Sequence, residues 1–257
     1  MSMRIFNGVE NLEELNTPVL TIGTFDGIHL GHQKIIKNLI REARSTNSDS
    51  VLLTFFPHPR MVLFPENNNL QLIQTQEEKY NKLAELGLKN TIVQPFSKEF
   101  SKLTALEFIE EIIVNKIRAK KIIIGYDHQF GNSREGNIDF LREYSDKFGY
   151  EVIEIPAKEI DEINVSSTKI RTALNEGDIQ IANLYLNSPF EINGIVVHGN
   201  KIGRSINFPT ANIEIDDKSK IIPKNGVYAV KVFLNEKKYF GMLNIGTRPS
   251  ISKQLSK

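Results

Sequence analysis

TIGTFDGIHLGH, residues 21–32, continues the apolar run Pro18-Val19-Leu20-Thr21-Ile22, which reads as a buried strand. Gly23, Gly27 and Gly31 punctuate the stretch, and His29 and His32 stand three residues apart. From Gln33 to Arg44, Ile35, Ile36, Leu39 and Ile40 recur at helical spacing. A strand, a glycine-rich turn and a helix start together build an anion site. Glycine lets the backbone approach closely, and the N–H groups of the first helical turn point at the anion. Two imidazoles at this spacing can hydrogen-bond one phosphate chain. The natural occupant is a nucleoside triphosphate.

Outward from this turn, apolar strands alternate with amphipathic helices. Strands are expected at 19–24, 50–55, 90–94, 121–125 and 151–155, and helices at 33–45, 76–86, 105–116, 138–148 and 167–175. VLLTFF and KIIIGYD are apolar on both faces, as in a parallel sheet covered by helices on each side. The expectation is a doubly wound α/β domain over residues 1–186, with its ligand at the C-terminal strand edge. After Asn187-Ser188-Pro189 the period changes to short strand-like runs at 190–198, 210–215, 226–233 and 238–243. Residues 187–257 therefore read as an antiparallel β-barrel or sandwich.

Charge shifts at the same place. Of 32 Lys+Arg and 31 Asp+Glu, residues 1–185 hold 21 and 26, and residues 186–257 hold 11 and 5. The later lysines are scattered over a solvated surface, so no nucleic-acid partner is expected. The chain has no cysteine, which excludes disulfides and thiolate metal sites. It has no apolar run of membrane-spanning length and no signal-peptide core. A cytoplasmic protein without membrane association or an obligate protein partner is expected.

HxGH at a strand-to-helix turn resembles the signature of the nucleotidylyltransferase superfamily, whose two histidines contact ATP phosphates. A similar box occurs in class I aminoacyl-tRNA synthetases, so the motif gives nucleotide chemistry without the acceptor. The order of further segments resembles the bacterial bifunctional riboflavin kinase / FAD synthetase family: TFFPHPR (54–60), QPFSKEFSKLTALEFIEE (94–111), IIIGYDHQFGNSREGN (122–137), VSSTKIRTALNEGD (165–178), GIVVHGNKIGRSINFPTANI (194–213), NGVYAV (225–230) and NIGTRPS (244–250). That resemblance implies an enzyme carrying out FMN adenylyltransferase chemistry, FMN + ATP to FAD + pyrophosphate, with Mg2+ brought in on ATP.

By the same resemblance, His29, His32 and Arg171 are the catalytic candidates, neutralising charge on the departing pyrophosphate. Gly23, Thr24, Phe25, Asp26, Gly27 and Gly31, with Ser166, Ser167 and Thr168, are the candidate ATP contacts. Asp26 could hold Mg2+ through water or simply cap the turn. Phe56, Pro57, Pro59, Asp127 and Phe130 are candidate flavin contacts, although Phe after a strand is most often a core residue.

In the second half, the resemblance makes Gly199, Gly203 and Arg204 an ATP loop. Thr210 and Asn212 become Mg–ATP ligands, a hydroxyl and an amide oxygen being hard donors. In the family several dozen residues follow NIGxRP and supply the glutamate that is base to riboflavin, whereas this chain stops at Lys257. The expectation is a truncated, incomplete barrel whose riboflavin kinase activity is absent or crippled. Two alternatives remain: another nucleotidylyltransferase acting on a different small phosphate, or a non-catalytic flavin-binding protein.

Overall fold

A computed structural model describes residues 3–67, 70–156, 165–198, 210–235 and 237–246. Six strands, β1 (Arg4–Asn7), β2 (Val19–Ile22), β3 (Ser50–Phe56), β4 (Asn90–Pro95), β5 (Lys121–Gly125) and β6 (Glu151–Ile155), form one sheet in the order β1-β4-β3-β2-β5-β6. Every pairing in it is parallel. Side chains alternate between the two faces of each strand. Leu20, Ile22, Val51, Leu53, Ile92, Ile122 and Ile124 join one core cluster, while Val19, Leu52 and Ile123 join the other. The strands are therefore apolar throughout, and helices must cover both faces.

On the second of these faces lie α1 (Leu30–Ser45), through Ile36, Leu39, Ile40 and Ala43, and α3 (Gln76–Glu85), through Leu83. The first face is covered by α4 (Ala105–Glu107), which continues as a π-helix over Phe108–Ile117, and by α5 (Ile138–Glu143). A short α2 (Pro59–Leu63) follows β3, and α6 (Ser145–Phe148) precedes β6. A third cluster gathers Ile170, Ala173 and Leu174 of α7 (Ser167–Glu176), Ala182 and Leu186 of α8 (Ile179–Leu186), and Ile73 and Ile221 from two loops.

The doubly wound domain expected from the pattern is present, with several differences. β1 was not anticipated because only Phe6 of its four residues is buried, and pairing with β4 alone defines it. The helix expected over 138–148 is two pieces meeting at Tyr144. In the π-helix, Phe108, Ile109, Ile112, Ile113 and Ile117 all turn inward, a spread that wider i→i+5 turns keep on one face.

Beyond α8 the described strands are β7 (Ile195–Val197) with β8 (Asn212–Glu214), and β9 (Gly226–Leu234) with β10 (Lys237–Ile245). Both pairs are antiparallel. No closed barrel forms among the described residues.

Candidate functional site

In the sheet order, the chain leaves β2 toward β3 on one side and reaches β5 on the other, so the strand order reverses between β2 and β5. Crevices beyond the C-terminal ends of strands at such a reversal are the usual ligand positions of open α/β sheets. The glycine loop after β2 occupies this one. Gly23 N–H donates to Leu53 O at 3.0 Å, holding the loop start against β3. Gly27 sits at φ +91°, and a Cβ there would come within 3.0 Å of Ile73 Cδ1. Phe25 and Ile28 also hold positive φ, 47° and 36°. For a β-branched residue such as Ile28 that is a strained backbone, the kind that surrounding structure must hold in place.

His29 caps α1. Its Nδ1 accepts the His32 N–H at 3.4 Å, which leaves the neutral ring's proton on Nε2. The two imidazoles stack with centroids 3.6 Å apart, and Phe25 lies 4.7 Å from His32. Their spacing on the first turn follows from helix geometry. Burial, reinforced by the Arg171 charge, pulls His29 down to about 4. Burial and the neighbouring His29 and Lys79 hold His32 well below the ordinary imidazole value. Both rings are thus neutral near pH 7 and act as hydrogen-bonding groups rather than as cations. His32 Nδ1 is buried without a partner.

Asp26 is almost fully buried and is wholly engaged by protein. Its carboxylate accepts from Ile73 N–H at 3.0 and 3.2 Å and from Gln74 N–H at 3.4 Å, and it pairs with the Arg171 guanidinium. Burial outweighs these partners and pushes the carboxyl above the usual carboxylate range. Asp26 is thus engaged as a strut beneath the loop, and Arg171 pairs with that strut. Arg171 Nε also donates to Gln71 O at 2.8 Å. Ser166 caps α7 through Lys169 N–H at 3.3 Å, and Ser167 Oγ donates to Asp26 O at 2.8 Å, while Thr168 is exposed. The VSSTKIR segment therefore meets the glycine loop, 141 positions away, through backbone support.

Lys79 is a site residue that pattern reading passed over. It is buried on α3 and donates to Thr24 O at 2.8 Å, a carbonyl that Thr54 Oγ1 also reaches at 3.1 Å. Burial lowers it to about 8 against the opposing pull of Asp26. The available signal was a lysine in register with Leu83 and Leu86 on an apolar helix face.

Of the flavin candidates, Phe56 is 42% exposed at the end of β3, and Pro57 is exposed beside it. Pro59 opens α2, capped by His58 Nδ1 accepting Arg60 N–H at 3.2 Å. Asp127 is exposed on the turn after β5. Phe130 differs from expectation: it is buried, with Phe108 at 5.6 Å and His128 at 6.1 Å, so it belongs to the core beneath that turn. In the second half, Thr210 is exposed and Asn212 opens β8, half-buried. Gly199, Gly203 and Arg204 lie outside the described residues. Among the described residues, no group of three or more His, Asp or Glu side chains could hold a metal ion.

With this geometry in view, the comparisons are specific. The FAD synthetase family model matches residues 11–169 and the riboflavin kinase model matches 186–257. The bifunctional riboflavin kinase/FMN adenylyltransferase of Buchnera aphidicola subsp. Acyrthosiphon pisum is 40% identical over 252 residues, covering 97% of this chain and 80% of that protein. The Escherichia coli K12 protein of the same description is 36% identical over 97% of this chain and 80% of its own length. That of Bacillus subtilis is 37% identical over 93% and 74%. A crystal structure described as a macrolide-efflux protein from Streptococcus pneumoniae superposes with TM-score 0.86 at 32% identity, over 98% of this chain and 81% of that one. No helix among the described residues is long and apolar enough to cross a membrane. The kinase match over 186–257 shows that domain to be present, so the expectation of an absent or crippled kinase is not supported.

Proposed function

The chain belongs to the bifunctional riboflavin kinase/FMN adenylyltransferase family, and from that membership we propose that its glycine loop transfers the adenylyl group of ATP to FMN. The FMN phosphate oxygen attacks the α-phosphorus, the bond from that phosphorus to the bridging oxygen breaks, and pyrophosphate leaves. An FMN phosphate is already anionic at neutral pH, so no general base is required. The work lies in aligning two anions and stabilising charge on the leaving group.

The stacked His29–His32 pair at the start of α1 is the observation that carries this proposal. His29 Nε2–H and the N–H groups of the first helical turn are donors fixed in place, beside the positive end of the helix dipole. Neutral rings donate without adding charge that would grip the product pyrophosphate. Lys79 places a buried cation under Thr24, and Asp26–Arg171 holds the loop in its strained shape. Exposed Phe56 and Pro57, at the same sheet edge, suit a flat apolar ligand such as the isoalloxazine ring. Mg2+ enters with ATP, as substrate. The adenylyltransferase unit is taken as residues 1–186 and the kinase unit as 187–257, the latter converting riboflavin and ATP to FMN and ADP.

The test is pyrophosphate release in the presence of Mg–ATP with a single acceptor. FMN should support it without delay, riboflavin only after a lag in which the kinase unit forms FMN, and glycerol phosphate not at all. Release with glycerol phosphate but not FMN overturns the assignment in favour of a different nucleotidylyltransferase. Tight FMN binding with no turnover overturns it in favour of a binding protein.

A further inference from the structure

Lys220 lies in the half of the chain that matches riboflavin kinase, yet both hydrogen-bond partners of its side-chain ammonium belong to the other half. Its side chain is 1% exposed. Nζ donates to Ile73 O at 2.8 Å and pairs with the Glu78 carboxylate, whose own side chain is 2% exposed, and the Phe190 ring centroid lies 4.4 Å away. A buried ion pair returns its desolvation cost only when its geometry is good and its remaining hydrogen-bonding capacity is used. Here it is: Glu78 Oε2 also accepts Thr75 N–H at 3.0 Å, and Oε1 accepts Asn193 Nδ2 at 3.1 Å. The backbone adds two further ties, Leu72 N–H to Ser219 O at 2.6 Å and Ile221 N–H to Leu72 O at 2.8 Å.

What is gripped matters more than the grip. Ile73 is the residue whose N–H holds both oxygens of Asp26 and whose side chain closes over Gly27. Its carbonyl is the group that Lys220 holds. One peptide segment thus joins a residue of the second half to the strut and to Gly27 of the loop, through direct contacts at each step.

We infer that Lys220 is a positioning residue for the nucleotide site: by clamping the Ile73 carbonyl it sets the Asp26–Gly27 geometry, and so couples the kinase half to adenylyl transfer. This rests on the adenylyltransferase proposal for the consequence in catalysis, though not for the clamp itself. Lys220 touches no reacting group, so its removal should weaken ATP binding rather than slow chemistry.

Three full-length variants test it: Lys220→Met, Lys220→Arg, and the double variant Glu78→Met/Lys220→Met. The double variant removes both charges and keeps the apolar volume, which protects folding where the single Met leaves Glu78 unpaired. Two readouts are taken on each: amide hydrogen exchange at residues 73–74 without ligand, and KM and kcat for FAD formation. The expected result for the double variant is faster exchange at 73–74 with β3 unchanged. KM for ATP should rise about five- to tenfold with kcat within about twofold, at the lower end of ordinary coupling between sites. Lys220→Arg should restore most of the KM. A double variant that melts like the wild type and keeps both exchange and KM for ATP unchanged overturns the inference. So does faster exchange with an unchanged KM. Should the wild type form no FAD, the adenylyltransferase proposal fails on its own, while exchange at 73–74 still decides whether the clamp exists.

Discussion

His32 stacks on His29, meets Phe25 and caps nothing itself, so its imidazole can be removed without unpicking a helix end. His32→Ala is expected to lower kcat/KM for FAD formation about 10²- to 10³-fold, as for loss of one preorganised donor. Pyrophosphate release at saturating FMN measures it, and a loss below tenfold would remove His32 from the phosphate contacts. Gly27→Ala acts differently. It forces an L side chain to φ +91° against Ile73, and should cost about 1–3 kcal/mol of stability in urea unfolding. At this scale the sequence named the loop but not the partners of Asp26 and Arg171. Asp26 looked like a turn cap or metal ligand because its true partners are 47 and 145 positions away. Arg171 looked free for the same reason. Local spacing carries no information about such pairs.

Elements were legible wherever burial is periodic. β3 and β5 announced themselves as apolar runs because helices cover both their faces, and α1 because Ile36, Leu39, Ile40 and Ala43 turn inward together. α8 escaped notice: of IQIANLYL only Ala182 and Leu186 are buried, so apolar residues surround the helix without a stripe. The capping box on α3 is a local feature with a long-range role, since Glu78 answers the Thr75 N–H and also receives Lys220. Thr75→Ala should cost about 1 kcal/mol, a fall of about 2–4 °C in Tm for a chain of this size. A fall several times larger would show that the cap also supports the Lys220 clamp.

For the molecule as a whole, four histidines set an acid limit, His32 among them because burial holds it well below the ordinary imidazole value. Burial first, then nearby cations at His29 and His58, holds His29, His58 and His128 at about 4, against 6.5 when unfolded. Between those values the unfolded chain binds more protons, so stability is full above about pH 6.5 and is lost as pH falls toward 4. Half-buried His58 and His128 contribute less than His29, whose share is of order 1–3 kcal/mol. The raised Asp26 works in the opposite direction at the acid end. Chemical denaturation at pH 7 and pH 5 should show this loss, and His29→Gln should reduce it. A profile flat across that interval would mean the rings are charged in the folded state.

The β9–β10 ribbon has a colloidal consequence. Val227, Phe233, Phe240 and Met242 are each at least 70% exposed on a two-stranded hairpin. Apolar side chains displayed on a ribbon whose edges pair with no further strand among the described residues invite self-adhesion as concentration rises. Light scattering should therefore climb steeply on adding ammonium sulfate, which strengthens apolar contacts. Phe240→Lys should delay that clouding, because it swaps the most protruding ring for a hydrated charge.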